Sequence, residues 1–156
     1  MSLVGLLGVC QWLEETALSV AIRESAWVFP VIESIHVLSL CLLGMAVLVD
    51  LRLLNVALKG LPMPEVTAQL KPWVTAGVVV AIVSGVLVFV NSPVEYYTNT
   101  FFRLKVIMLM LIGVNAWLFR AGVWRRMAVT CSVSLILWAG VVVAGGLISY
   151  HLLDAH

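Results

Sequence analysis

The sequence predicts an all-α membrane protein, a four-helix transmembrane bundle with an N-terminal amphipathic interfacial helix. Of its 156 residues, 63% are hydrophobic and only 11% are charged. The charges separate four long apolar stretches, each close to the roughly 20 residues that a helix needs to cross a bilayer. We expect a single membrane domain over 1–156, with spans at 30–54, 72–91, 103–120 and 127–151.

The N-terminal segment precedes these spans. Apolar residues recur at helical spacing through 3–22, but Glu14 and Glu15 interrupt them. We expect this segment to lie as a helix in the outer membrane interface, because it is too short and too charged for an ordinary span. Pro30 and Pro72 are expected in the first turns of the first and second spans, where proline is well tolerated.

Basic residues predict the orientation of the chain. The N-terminal segment has only Arg23, and the breaks after the first and third stretches carry the other interhelical basic residues: Arg52, Lys59, Lys71, Arg120, Arg125 and Arg126. By the positive-inside rule these two breaks face the cytoplasm, and both termini lie outside, in the periplasm of a bacterium. The net charge of +1 and the lack of a basic, aromatic-interleaved patch indicate no nucleic-acid partner.

Two histidines are the candidate metal ligands. His36 in the first span and His151 at the end of the fourth fall in the same predicted leaflet. Imidazole is a common axial ligand of haem, and facing helices of a bundle are where such a cofactor is held. Glu33, one turn from His36, is expected to orient its ring by a hydrogen bond. Gly140 and Ala144 lie on the face of His151 and would leave a slot for a flat ligand, although helix packing explains small residues equally well.

Three further polar residues complete the predicted cofactor site. Arg103 and Lys105 open the third span on the outer side, where they would either anchor the helix or pair with haem propionates. Asn115 lies deep in the third span. It is expected to hydrogen-bond across helices or to contact a cofactor or quinone.

Other chemistry finds little support. The cysteines Cys10, Cys41 and Cys131 form neither a CxxC nor a CxxCH motif, which argues against structural zinc, a dithiol and covalent haem. No phosphate loop, zinc-protease helix or serine-histidine-acid pattern is present. We therefore expect a non-catalytic electron-transfer or structural subunit, although an enzymatic role stays open.

Particular residues resemble an uncharacterised bacterial four-span integral-membrane family, a domain of unknown function. The resemblance covers nearly the whole chain and rests on these positions: Trp12-Leu13-Glu14, Ile22-Arg23-Glu24-Ser25, Pro30, Glu33, His36, Val49 to Leu54, Lys71-Pro72-Trp73, Gly77, Ser84-Gly85, Asn99 to Lys105 and Asn115-Ala116. The outline is also similar to haem-binding membrane proteins of the protoporphyrinogen-oxidase and copper-resistance type, by analogy of fold. Relatives can carry histidine where this chain has Arg120, so the resemblance implies that a ligand there is lost.

Three functions remain open at this point. The first is a subunit that binds haem b and carries electrons between a quinone or periplasmic carrier and a partner protein. The second is a cofactor-free structural or assembly subunit of a larger membrane complex. The third is a small transporter or proton path, for which the spans offer few ionisable groups and no broken helix.

Overall fold

The computed structural model describes the backbone of residues 3–121 and 127–154, and the side chains of 5–121, 127–148 and 150. Within these residues the regular structure is entirely helical, with no strand. In chain order the helices are α1 (Leu3–Glu14), α2 (Ala17–Glu24), α3 (Val28–Leu53), α4 (Met63–Asn91), α5 (Pro93–Thr98), α6 (Thr100–Arg120) and α7 (Met127–Asp154).

Four of these helices are long and apolar enough to cross a membrane. They are Val28–Leu53, Met63–Asn91, Thr100–Arg120 and Met127–Ile148, with mean hydropathy between 1.7 and 2.5. At about 1.5 Å per residue, the 26 residues of α3 reach farther than a hydrocarbon core of about 30 Å. The all-α class and the four spanning helices predicted from the sequence are confirmed.

Helix α4 begins nine residues before the predicted start of the second span, at Met63 instead of residue 72. Pro64 and Glu65 occupy its first turn, where proline has no helical hydrogen bond to lose and a carboxylate faces the positive end of the helix dipole. Pro72 therefore lies inside the helix and not at its start. Proline has no N–H, so Pro72 cannot donate the helical hydrogen bond to the Ala68 carbonyl. Membrane helices accommodate this missing bond by local adjustment.

The N-terminal segment forms two helices where the sequence predicts one over 3–22. The break falls at Glu15 and Thr16, and Thr16 caps α2 by accepting a hydrogen bond from the Ser19 N–H at 3.4 Å. Its hydroxyl also donates to the Leu13 carbonyl at 2.6 Å, which satisfies an end group of α1. Helix α1 packs against the short helix α5, which has no counterpart in the sequence prediction.

The chain forms two compact units. The first comprises Met1–Leu43 and Trp73–Asn99, and the second comprises Gly44–Pro72 and Thr100–His156. In the second unit α6 packs along α7. Asn115 meets Thr130 near one end of this pair and Lys105 meets Gly145 near the other, so the two helices run antiparallel.

Helix α3 ends in a Schellman motif. Asn55 adopts a left-handed conformation with φ 57°, the Val56 N–H bonds to the Leu51 carbonyl at 2.9 Å, and the Asn55 N–H bonds to the Arg52 carbonyl at 3.0 Å. This pattern satisfies carbonyls that the helix end would otherwise leave unpaired. The Arg52 guanidinium then reaches across the loop and donates twice to the Leu61 carbonyl, at 3.1 and 2.8 Å.

Close packing of α3 on α4 in the first unit depends on Gly77. A Cβ placed there would lie 2.8 Å from Leu42 Cβ and 3.1 Å from the backbone atoms Leu42 C and Leu43 N. We expect Gly77→Ala to destabilise the protein by about 1–3 kcal/mol, the usual cost of overpacking. Gly113→Ala is the matched control, because a Cβ there meets nothing within 4 Å. Thermal unfolding in detergent should show a lower midpoint for the first variant alone, and equal midpoints would contradict the prediction.

Candidate functional site

The imidazole of His36 is held between α3 and α4 by Ser84. His36 Nδ1 lies 2.9 Å from Ser84 Oγ, and Ser84 is only 4% exposed. The Ser84 hydroxyl also lies 2.5 Å from the Val80 carbonyl, one turn back on its own helix. A carbonyl only accepts, so the single hydroxyl hydrogen goes to Val80.

This arrangement favours the tautomer of His36 that carries its hydrogen on Nδ1. Since the Ser84 hydrogen is already donated, its oxygen accepts the hydrogen carried by His36 Nδ1. In a neutral imidazole the lone pair then resides on Nε2. A histidine that donates through one ring nitrogen and presents the other as a base is the form that ligates metals.

A glycine lets the His36 ring approach α4. A Cβ added at Gly85 would lie 3.1 Å from His36 Cε1 and 3.6 Å from Nδ1. The ring therefore packs directly on the α4 backbone, one residue beyond its serine partner. This contact restricts the ring independently of the hydrogen bond.

An apolar groove adjoins the histidine-serine pair. It has a volume of about 350 Å³ and is lined by Ile32 and Ile35 of α3 and by α4 residues between Val79 and Leu87. Ser84 is its one polar lining residue. The groove would accept the flat or branched apolar part of a ligand. His36 is not among its lining residues and adjoins it through Ser84.

Other predicted site residues lie in the second unit. Lys105 is half-buried, with its Nζ 3.7 Å from the position of a Cβ on Gly145. Arg103 is exposed and its guanidinium approaches the Thr100 hydroxyl at 3.4 Å. Neither position tests the predicted propionate role.

Asn115 and Gly140 both take part in the packing of α6 on α7. The Asn115 amide donates to the Thr130 carbonyl at 3.1 Å, which agrees with the interhelical bond expected for it. A Cβ on Gly140 would lie 2.6 Å from Met108 Sδ, so a methionine covers this glycine, and the neighbouring Ala144 is buried. A flat ligand at Gly140 would have to displace the flexible Met108 side chain.

The structure does not test the predicted pairing of His36 with His151. The side chain of His151 falls outside the described residues, and the two histidines belong to different units. Within the residues that are described, no three histidine, cysteine or acidic side chains group together as a metal site. His151 therefore stays a prediction from the sequence.

The chain matches the model of DUF6644, a family of unknown function, over residues 10–151. It belongs to the DUF6644 family. This match covers the His36–Ser84 pair, the groove and all of the predicted site residues. No curated protein and no solved structure matches the chain.

Sequence reasoning missed the role of Ser84 in this DUF6644 chain. The Ser84-Gly85 pair was a visible signal, since it places a hydroxyl beside a small residue in an otherwise apolar span. Glu33 was expected to orient His36, and that bond stays a prediction. The described partner of Nδ1 is Ser84, and Glu33 is exposed.

Glu33 acts electrostatically on another residue of the first unit, Tyr96 of α5. The Tyr96 ring is buried, with its centroid 6.5 Å from that of Phe89. Burial, and after it the negative charges of Glu33 and Glu95, raise the pKa of Tyr96 to about 12. The phenol thus stays neutral far into the alkaline range.

Alkaline titration should reveal this tyrosine. The unfolded phenol ionises near pH 10.0 and the folded one near 12, so its stabilising contribution is complete below pH 10 and is lost as the pH rises toward 12. Near-ultraviolet absorbance of phenolate in detergent should show one late-ionising tyrosine that Tyr96→Phe removes. Tyr97→Phe is the control and should leave the late phase intact. The assignment would be contradicted if Tyr96→Phe removed phenolate absorbance that appears near pH 10 and left the late phase in place.

Proposed function

We propose that this chain is a membrane subunit that binds haem b, with His36 as an axial ligand of the iron. The observation that carries the proposal is the His36–Ser84 hydrogen bond, because it holds the ring through Nδ1, the orientation in which Nε2 would be the ligand nitrogen. A neutral imidazole oriented through its other nitrogen is what a metal site requires of its histidine.

The surroundings of His36 fit such a group. The adjoining groove offers an apolar wall for a porphyrin edge, and Gly85 allows the imidazole to lie against the helix backbone. Ser84 restrains rotation of the ring by accepting from Nδ1. Bound haem would supply one-electron redox chemistry.

The rest of the proposed site comes from the sequence. His151 is the proposed second ligand, and Arg103 and Lys105 are the proposed partners of the propionates. Gly140 and Ala144 would contribute a slot if Met108 moves aside. These assignments are separable by mutation, since none of these five residues lies next to another in the chain.

The proposed role is electron transfer between a quinone or periplasmic carrier and a partner protein. The proposed setting is a bacterial inner membrane with both termini in the periplasm, which the distribution of basic residues supports. Four apolar helices support the lipid bilayer itself as the surroundings of the chain. Partner subunits would come from the membrane or the periplasm.

A reduced-minus-oxidised spectrum of the purified chain tests the proposal. Wild type in detergent should show a haem b band, and His36→Ala should abolish it. Added imidazole should restore the band in His36→Gly, because it replaces the missing ligand. A wild-type protein without haem, or an unchanged band in His36→Ala, would refute the proposal. A stable partner co-purified with haem-free protein would favour the assembly-subunit alternative.

Ser84→Ala tests the orienting hydrogen bond, with haem content measured against added haem. We expect haem affinity to fall about 10–100-fold, as is usual when a ligand histidine loses its supporting partner. Ser34→Ala is the matched control: Ser34 also donates to the carbonyl four residues back, at 2.7 Å, but is exposed. His151→Ala, measured in parallel, reports the second ligand. Equal affinity in the Ser84 and Ser34 variants would contradict the role of Ser84.

A further inference from the structure

A second polar cluster lies in the other unit, around the half-buried Asp50 of α3. Its carboxylate has two side-chain hydrogen-bond partners on α7, the hydroxyl of Ser134 and the thiol of Cys131. Cys131 is 2% exposed and Ser134 is 8% exposed. The two positions are three residues apart and therefore share one face of the helix.

The remainder of this face is also polar and paired. Thr130, next to Cys131, is buried, and its carbonyl accepts the hydrogen bond from Asn115 of α6. The amide of Asn115 carries no charge. The cluster thus joins α3, α6 and α7, and its described members include no cation.

Among the described residues, Asp50 takes part in no ion pair. The cation nearest to it in sequence, Arg52, donates to the Leu61 carbonyl. Cys131 is the titratable group of α7 that faces Asp50. The other charged residues of this unit's loop, of the start of α4 and of the adjoining end of α6 are Lys59, Glu65, Lys71 and Arg120.

An acid in this setting has two ways to avoid an isolated charge. It can remain a carboxylate and accept from the thiol and the hydroxyl, or it can take up a proton and become neutral. Both forms keep hydrogen bonds here, because a protonated carboxyl donates its own hydrogen while retaining acceptor capacity. The same three side chains therefore serve both states.

We propose that Asp50, Cys131 and Ser134 form a proton-binding site at the end of the spans that carries Arg52 and Arg120. In the carboxylate state the Cys131 S–H donates to Asp50. Uptake of one proton converts the carboxylate into a carboxylic acid, and the S–H bond to it weakens or turns elsewhere. This proposal stands independently of haem binding.

Infrared spectroscopy of the whole chain in liposomes can observe this change through the thiol. The S–H stretch lies in a spectral region that other amino-acid groups leave clear, so only Cys10, Cys41 and Cys131 contribute. One S–H band should move to higher frequency as the pH falls, and Cys131→Ala should remove it. Cys10→Ala and Cys41→Ala should leave it unchanged.

Variants of the acid assign the titration. Asp50→Asn should make the Cys131 band independent of pH, and Asp50→Glu should retain the transition at a shifted pH. Glu65→Gln is the control at an exposed carboxylate of the same unit and should change nothing. Ser134→Ala should displace the transition without abolishing it.

Two results would overturn the proposal. One is a Cys131 band that stays constant at every pH in the wild type, as expected if the cluster only packs the helices. The other is a transition that survives in Asp50→Asn. If Asp50→Asn does not fold by circular dichroism, isotope-labelled aspartate in the wild type gives the same decision through its protonated carboxyl band.

Discussion

Hydrocarbon offers no hydrogen bonds, and this constraint governs the polar groups that the four long helices bury. Their backbones satisfy one another along each helix, which leaves the side chains to be paired inside the protein. His36 does so with Ser84, Asn115 with Thr130, and Asp50 with Ser134 and Cys131. In each case residues distant in sequence are brought together because the alternative is an unpaired group in lipid. Such pairs fix which helix faces meet.

The histidine-serine pair shows how one such bond can select a chemical form. Ser84 has a single hydrogen and gives it to a carbonyl of its own helix, which favours a ring nitrogen that carries its own hydrogen. A serine pointing to water would impose no such choice, because water can donate or accept. In a low-dielectric setting, the hydrogen bond between Ser84 and His36 therefore influences which ring nitrogen carries the lone pair.

The sequence was sufficient for the elements and insufficient for the partners. Four apolar stretches of the right length predicted four helices, because lipid admits little else. The sequence predicts Pro72 in the first turn of the second span, and for this reason it misses the true start of α4. The helix begins beside Pro64 instead, and Pro72 lies inside it because membrane helices accommodate internal proline. The break at Thr16 was missed because the apolar pattern continues across it. The Thr16 hydroxyl ends one helix and caps the next through hydrogen bonds to nearby backbone groups, which the apolar pattern does not show.

Of the candidate site, the sequence predicts the histidine but not its serine partner. His36 stands out in any apolar span, whereas Ser84 is a common packing residue whose role depends on the rotation of α3 against α4. That rotation is set by close contacts such as Gly77 on Leu42, which a composition-based reading does not contain. The partners of Asp50 on α7 lie some eighty positions away in the sequence, beyond the reach of local spacing.

Arg52 combines two roles that are usually carried by different residues. Its positive charge is one of those that the positive-inside rule counts in the proposed orientation. Its planar guanidinium fork also donates two hydrogen bonds to the carbonyl of Leu61 in the loop. A lysine would preserve the first role and lose the second, since an ammonium cannot reproduce the fork. Under the proposed orientation, a lysine at position 52 would preserve the charge and lose the second hydrogen bond to the loop, so one conservative replacement separates the two roles.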